Sequence, residues 1–221
     1  TQMIYGDSFS IIKKDNNFWK IKIEHDQYSG FIKKKKFINY IKPTHKISSL
    51  FAIIYKDSSF KKKVGKLPFG SKITIKETFS KFAKFQNYWI EKNNLKKINY
   101  KSKNIFSNIN IFHNTKYKWG GKTFEGIDCS ALIQVFFNFN NKYCPRDTGD
   151  QVKYFKKNIE FKKIKKNDII YWKGHVAIAL SNKKLIHAYG PLKKTVIMGI
   201  KETVKIIEKT SNLNVISVKR L

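Results

Sequence analysis

Covalent staples are nearly absent from this chain. Its 221 residues hold two cysteines, Cys129 and Cys144, too few for a disulfide framework, so the fold has to rest on buried apolar surface. With 4 prolines and 11 glycines it is not a Pro/Gly-rich linker or fibre. Arginine is confined to Arg146 and Arg220. No apolar run reaches the roughly 18 residues of a membrane-spanning helix, and TQMIYGDSFS at the amino end lacks the basic stretch and apolar centre of a secretory signal. A soluble, monomeric protein with free thiols is therefore expected, which points to the cytoplasm.

What the chain does have is apolar content, 41 % with 15 % aromatic, well above the level at which chains fail to collapse. It also carries a formal charge of +31, from 46 basic against 15 acidic residues. Such a field attracts anions. Because nearly all of the cations are lysine, they read chiefly as a solubilising surface; attraction of carboxylate-bearing substrates is a second reading and nucleic-acid binding a third, and no specific nucleic-acid partner is expected.

The first hundred residues read as short strands separated by turn signals, the spacing of small all-β modules. One unit shows apolar runs at Phe9 to Ile12 and Phe18 to Ile23, with a Tyr28-Ser29-Gly30-Phe31 corner. A second shows Val64 to Leu67, a Pro68-Phe69-Gly70 turn, a strand from Lys72 to Lys76 and Trp89-Ile90. The boundaries read as 1–42, 43–98 and 99–221. Beyond residue 103 the period becomes helical, at Ile105, Phe106, Ile109 and Phe112 and again at Leu132, Ile133, Phe136 and Phe137. A further helix is expected from Asp147 to about Phe155. Strands return at Ile169 to Trp172, Val176 to Leu180, Leu185 to His187, Thr195 to Met198 and Val215 to Val218. Helices followed by a mostly antiparallel sheet make an α+β fold.

The segment richest in chemistry is YKWGGKTFEGIDCSALIQ, residues 117–134. A glycine-bearing loop leads into Asp128-Cys129-Ser130, where a helix starts. Helix N-terminal amides favour a thiolate and can receive an oxyanion, so a lowered pKa is expected for Cys129. Two histidines on adjoining strands, His175 and His187, are the candidate base and its orienting partner. Whether they share a face depends on register. A three-residue loop at Ser181 to Lys183 sets Ala177 opposite His187 and brings the two histidines to one face, a diagonal step apart. Asp128 is also a good helix cap, and Arg146 suits a place that needs a planar fork of donors. Cys144 reads as structural. His25, His45 and His113 stand in no metal-ligand spacing, so neither metal nor cofactor is expected.

Tyr117, Trp119-Gly120-Gly121, Gly126, Asp128-Cys129-Ser130, Gln134, Pro145-Arg146-Asp147, Gln151, Asp168, His175-Val176 and His187 together resemble the NlpC-type cysteine peptidases. Ala131 departs from the usual glycine, which bears on pocket size and not on the chemistry. The resemblance implies a papain-like core that hydrolyses the D-γ-glutamyl to diamino-acid bond of peptidoglycan stem peptides through a thioester. It implies Cys129 as nucleophile, His175 as base, His187 as orienter and Tyr117 as an aid to the oxyanion. Asp128 and Ser130 would bind the substrate's L-alanyl amine and D-glutamyl carboxylate. The two β units resemble bacterial SH3-like barrels, a pairing that implies free muropeptides as substrates, with Tyr28 and Glu24 of the first module reaching the amine. An amidase or acyltransferase on the same core, or an inactive basic wall-binding protein, are the rival readings.

Overall fold

The computed structural model describes all 221 residues, and the chain divides into two compact units. One comprises Met3–Lys101 with Asn138–Tyr143, the other Thr1–Gln2, Ser102–Phe137 and Cys144–Leu221. They are called the β unit and the core unit below. No helix is long and apolar enough to cross a membrane.

The β unit holds strands β1 (Phe9–Lys14), β2 (Phe18–Ile23), β3 (Ser29–Lys33), β4 (His45–Ile47), β5 (Phe51–Tyr55), β6 (Lys63–Pro68), β7 (Lys72–Ile73), β8 (Ile75–Phe79), β9 (Phe82–Phe85), β10 (Tyr88–Glu91) and β11 (Leu95–Lys97). They form three sheets, ordered β1-β2-β3, β6-β5-β10-β9-β8 and β11-β4-β7. None closes into a barrel, so the expected barrels are replaced by open sheets. The alternation in FWKIKI of β2 buries Ile21 and Ile23 and exposes the lysines between them, as a half-buried pleat requires. The main core of the unit gathers Ile47, Ala52, Leu67, Ile73, Ala83, Phe85 and Ile90.

The core unit begins irregularly. The Ile105 to Phe112 stretch, expected to be α-helical, forms turns and a single 3₁₀ turn over Ile109–Phe112. Its apolar residues Phe106, Ile109 and Phe112 are buried as their spacing suggests. At its start an asparagine competes for the backbone, the Asn104 side chain accepting from the Phe106 amide at 3.0 Å. Next come the short ladder of β12 (Lys122–Thr123) and β13 (Gly126–Ile127), then α1 (Cys129–Phe139) and α2 (Thr148–Tyr154). A five-stranded antiparallel sheet follows, built from β14 (Ile169–Trp172), β15 (His175–Ala179), β16 (Lys184–Tyr189), β17 (Lys194–Gly199) and β18 (Ser217–Lys219), in the order β17-β16-β15-β14-β18.

Between β17 and β18 runs α3 (Ile200–Ser211), to which the sequence reading assigns no element. Its core contacts are Ile200 and Ile207, an apolar stripe diluted by lysine, glutamate and threonine. It packs on the same sheet face as Ile170, Trp172, Ala177, Leu185 and Tyr189. Helices on an antiparallel sheet confirm the α+β class.

Candidate active site

Cys129 is the first residue of α1 and is 7 % exposed. The turn before it is fixed from both sides. Gly121 donates to the Lys118 carbonyl at 2.8 Å, and Gly120, whose φ of +77° suits glycine, donates to Asp128 Oδ2 at 2.7 Å. Asp128 in turn caps the helix, its Oδ1 accepting from the Ala131 amide at 2.8 Å.

Arg146 completes this turn with the donor fork its rarity suggests. Its Nη1 donates to Asp128 Oδ1 at 3.0 Å and to Ser130 Oγ at 2.8 Å, and its Nη2 to Asp128 Oδ2 at 2.5 Å. Its Nε donates to the Thr1 hydroxyl at 2.8 Å. Arg146, Asp128 and Ser130 are all buried, and such a pair is costly to break from one side. Gln151 of α2 adds a brace, donating to the carbonyls of Ser130 at 2.9 Å and Pro145 at 3.0 Å.

The histidines arrive from the sheet. A two-residue turn, with Gly174 at φ +75°, joins β14 to β15 and pairs Trp172 with His175. In the neighbouring ladder Ile178 faces Ile186 and Ala179 faces Leu185, which continues to Ala177 opposite His187. The two histidines thus share a face, and His175 Nε2 lies 2.8 Å from His187 Nδ1. Tyr189 stacks on His187 with ring centroids 4.7 Å apart. His187 is fully buried, and its Nε2 has no hydrogen-bond partner in the protein. The Nε2 of His175 being engaged, its Nδ1 is the atom free to exchange a proton.

The sulfur sits beside the His175–Val176 peptide, held by the amides of Val176 and Ser130 and the hydroxyl of Thr148. These bonds lower the thiol pKa, but burial and the Asp128 carboxylate outweigh them and push it up to about 11. Burial lowers His175 to about 4, while burial and then His175 lower His187 to about 3. This corrects the expectation of a lowered cysteine pKa. The resting pair is thiol and neutral imidazole, because the helix start is dry and its capping residue carries a negative charge. Tyr117, whose pKa is raised to about 12 by burial and by the charges of Cys129 and Asp128, keeps its hydroxyl proton near the sulfur.

The core unit therefore brings together Tyr117, Asp128, Cys129, Ser130, His175 and His187. Tyr28 and Glu24 lie in the β unit, flanking the turn between β2 and β3. The Glu24 carboxylate accepts from the Ser10 hydroxyl, and the Tyr28 amide donates to Asp26 Oδ1 at 3.1 Å. Thr148 is the contributor that sequence reading passes over, since a threonine at a helix start reads first as a cap. No group of His, Cys, Asp or Glu side chains in the chain is arranged to hold a metal ion.

Against known proteins, residues 114–207 match the NlpC/P60 family. That segment is similar to the NlpC/P60 domain. Over 74 residues it is 35 % identical to the dipeptidyl-peptidase 6 of Lysinibacillus sphaericus, covering 34 % of this chain and 27 % of that protein. Over 90 residues it is 33 % identical to a "probable endopeptidase NlpC homolog" of Haemophilus influenzae, covering 39 % of this chain and 48 % of that protein. The chain thus spans half or less of the length of these relatives. Its fold recurs in the crystal structure of an NlpC/P60 family protein from Bacillus cereus, with a TM-score of 0.83 and 18 % identity, over 100 % of this chain and 81 % of that one. The matched segment, residues 114–207, includes Tyr117, Cys129, His175 and His187.

Proposed function

We propose that this chain is a cysteine peptidase that hydrolyses the D-γ-glutamyl to diamino-acid bond of peptidoglycan-derived peptides. The observation that carries the reading is a buried thiol at a helix start, beside the first residues of β15, where His175 is held by His187 at 2.8 Å. Relatives named as a dipeptidyl-peptidase and an endopeptidase favour a peptide bond as the target.

The steps follow from the protonation states. His175 Nδ1 takes the Cys129 proton as the sulfur attacks the carbonyl carbon, so the thiolate forms only during attack. Backbone N–H groups of the first turn of α1 and the Tyr117 hydroxyl receive the oxyanion. His175 then gives its proton to the leaving amine and a thioester remains. Water, deprotonated by His175, attacks the thioester, and the thiol returns with the product acid. His187 fixes the ring and tautomer of His175 throughout.

In this reading Asp128 and Ser130 shape the subsite for the L-alanyl amine and the glutamyl carboxylate. The Asp128 oxygens already accept from Arg146, Gly120 and Ala131, which favours contact through the groups that Asp128 orders. In this reading Tyr28 and Glu24 of the β unit recognise a free amine, which restricts the enzyme to released muropeptides.

Incubation with L-Ala-γ-D-Glu-diaminopimelate and mass identification of the products tests this. Release of L-Ala-D-Glu is expected. An intact peptide, or cleavage at the L-Ala bond, would overturn the assignment, and an unchanged rate after acetylation of the alanine amine would remove the amine-binding residues from it.

A further inference from the structure

Thr1 and Gln2 belong to the core unit, while Met3 opens the β unit. The side chains of both residues reach the turn that carries Cys129. The Thr1 hydroxyl accepts from Arg146 Nε at 2.8 Å, and Gln2 Oε1 accepts from the Lys122 amide at 2.8 Å. The Thr1 backbone also lies against Gly120, where a Cβ would stand 3.3 Å from the Thr1 nitrogen and 3.5 Å from its Cα. Three points of contact thus fall on one short loop and on the arginine that holds its end.

The two side chains act on different flanks of that loop. Lys122 is buried and pairs with Ile127 across the ladder of β12 and β13, one residue before Asp128. Its amide needs an acceptor, and Gln2 supplies it. On the other flank Arg146 grips Asp128 and Ser130, the residues on either side of Cys129, through its two terminal nitrogens. Those bonds fix the guanidinium to the carboxylate, but the two could still shift together. The bond from Nε to Thr1 ties the fork to a third stretch of chain, and so fixes where the carboxylate stands. That position matters to the sulfur, because the Asp128 charge is, after burial, the main influence raising the Cys129 pKa, and Arg146 is the cation that offsets it.

We propose that Thr1 and Gln2 are positioning residues of the nucleophile turn, Thr1 by fixing the Arg146 fork and through it Asp128 and Ser130, and Gln2 by fixing the β12 end of the loop. For its effect on turnover this rests on the peptidase reading; for its effect on the reactivity of Cys129 it does not.

Two substitutions of the full chain at Thr1 test it. Thr1→Val keeps the shape and removes the acceptor, whereas Thr1→Ser keeps the acceptor. Thr1→Val should lower kcat/KM for L-Ala-γ-D-Glu-diaminopimelate about tenfold through misplacement of the turn, and Thr1→Ser should retain most of the rate. Alkylation of Cys129 by iodoacetamide at one fixed pH, read by mass on the peptide that holds it, gives a measure independent of turnover. It should slow in Thr1→Val, because a less compensated Asp128 leaves less thiolate, and match the parent in Thr1→Ser. Gln2→Leu should lower the turnover rate as Thr1→Val does, and Gln2→Glu, which keeps an acceptor, should recover it. If circular dichroism shows that Thr1→Val is unfolded, the Gln2 pair decides. Alkylation of folded Thr1→Val at the parental rate or faster, or losses from Thr1→Ser as large as those from Thr1→Val, would overturn the part given to Thr1. Equal turnover by Gln2→Leu and the parent would overturn the part given to Gln2. A parent that leaves the peptide intact would instead defeat the peptidase reading, and the alkylation rates would still decide the role of Thr1.

Discussion

At the scale of single residues, the burial of Cys129 and His175 sets the pH dependence expected of the proposed reaction. His175 must be unprotonated to act as base, and burial holds its pKa near 4. Activity should therefore fall only as pH drops toward 4, not around 6.5, the ordinary value for imidazole. On the alkaline side the thiol persists until about 11. A kcat/KM profile of the free enzyme should be flat between these limits, with no thiolate absorbance at neutral pH. An acid limb near 6.5 would contradict the neutral pair. Arg146 offers a second test. Its fork on Asp128 is buried, so Arg146→Ala should cost about 3 to 5 kcal/mol in denaturant unfolding, and lysine should not restore the loss because it cannot span both oxygens. The residues of the site were largely readable in advance: Cys129 follows a glycine loop at a helix start, and the histidines fall on alternating strands. The contacts of Arg146 with Thr1 and Asp128 were not, since nothing local connects positions so far apart in the chain. The raised cysteine pKa also escaped, because a helix start speaks for the thiolate and only the packed structure shows how dry the place is.

At the scale of elements, the register of β15 with β16 carries the proposed catalytic pair. The parity of the Ser181 to Lys183 connection decides it, which is why the pairing could be foreseen from loop length. Because β-strand side chains alternate, a one-residue slip of β16 would turn His187 to the opposite face. Replacing His187 by alanine should keep the strand pairing, lower kcat by about 10²-fold or more as the base loses its fixed orientation, and leave KM little changed; asparagine, which can still bond to His175, should recover part of the rate. A loss confined to KM would mean that His187 serves binding instead. Lys46 is the corresponding element-scale feature of the β unit. Its buried ammonium donates to the carbonyls of Tyr100, at 2.7 Å, and of Phe139. Lys46→Met leaves the buried Phe139 carbonyl and the part-buried Tyr100 carbonyl without that donor and should destabilise by about 1 to 3 kcal/mol. Burial and the neighbouring Lys72 and Lys101 lower the Lys46 pKa to about 8. The unfolded chain then binds more protons than the folded one between about pH 8 and 10.5, so the contribution of Lys46 to stability rises with pH across that window, and the variant should lack this slope. Where element prediction failed, competing interactions decided. The Asn104 side chain competes for the backbone where a helix is expected at Ile105 to Phe112, and α3 was hidden because its narrow apolar stripe becomes meaningful only against the sheet face it covers.

At the scale of the whole molecule, the +31 charge should act through encounter with the anionic peptide and not through the fold. Raising ionic strength from low to physiological values should lower kcat/KM while kcat holds, since screening shortens the reach of the field. The open sheets of the β unit show what short-strand punctuation can and cannot convey: it marks strands and turns, but closure depends on long-range pairing that turn residues do not encode. The central claim is that one thiol, Cys129, does the chemistry of the proposed peptidase. Its most direct test is the turnover of L-Ala-γ-D-Glu-diaminopimelate by Cys129→Ala beside the parent protein, with circular dichroism to establish that both are folded. Hydrolysis by the parent and none by the folded variant is the predicted result, and equal turnover by both would contradict it.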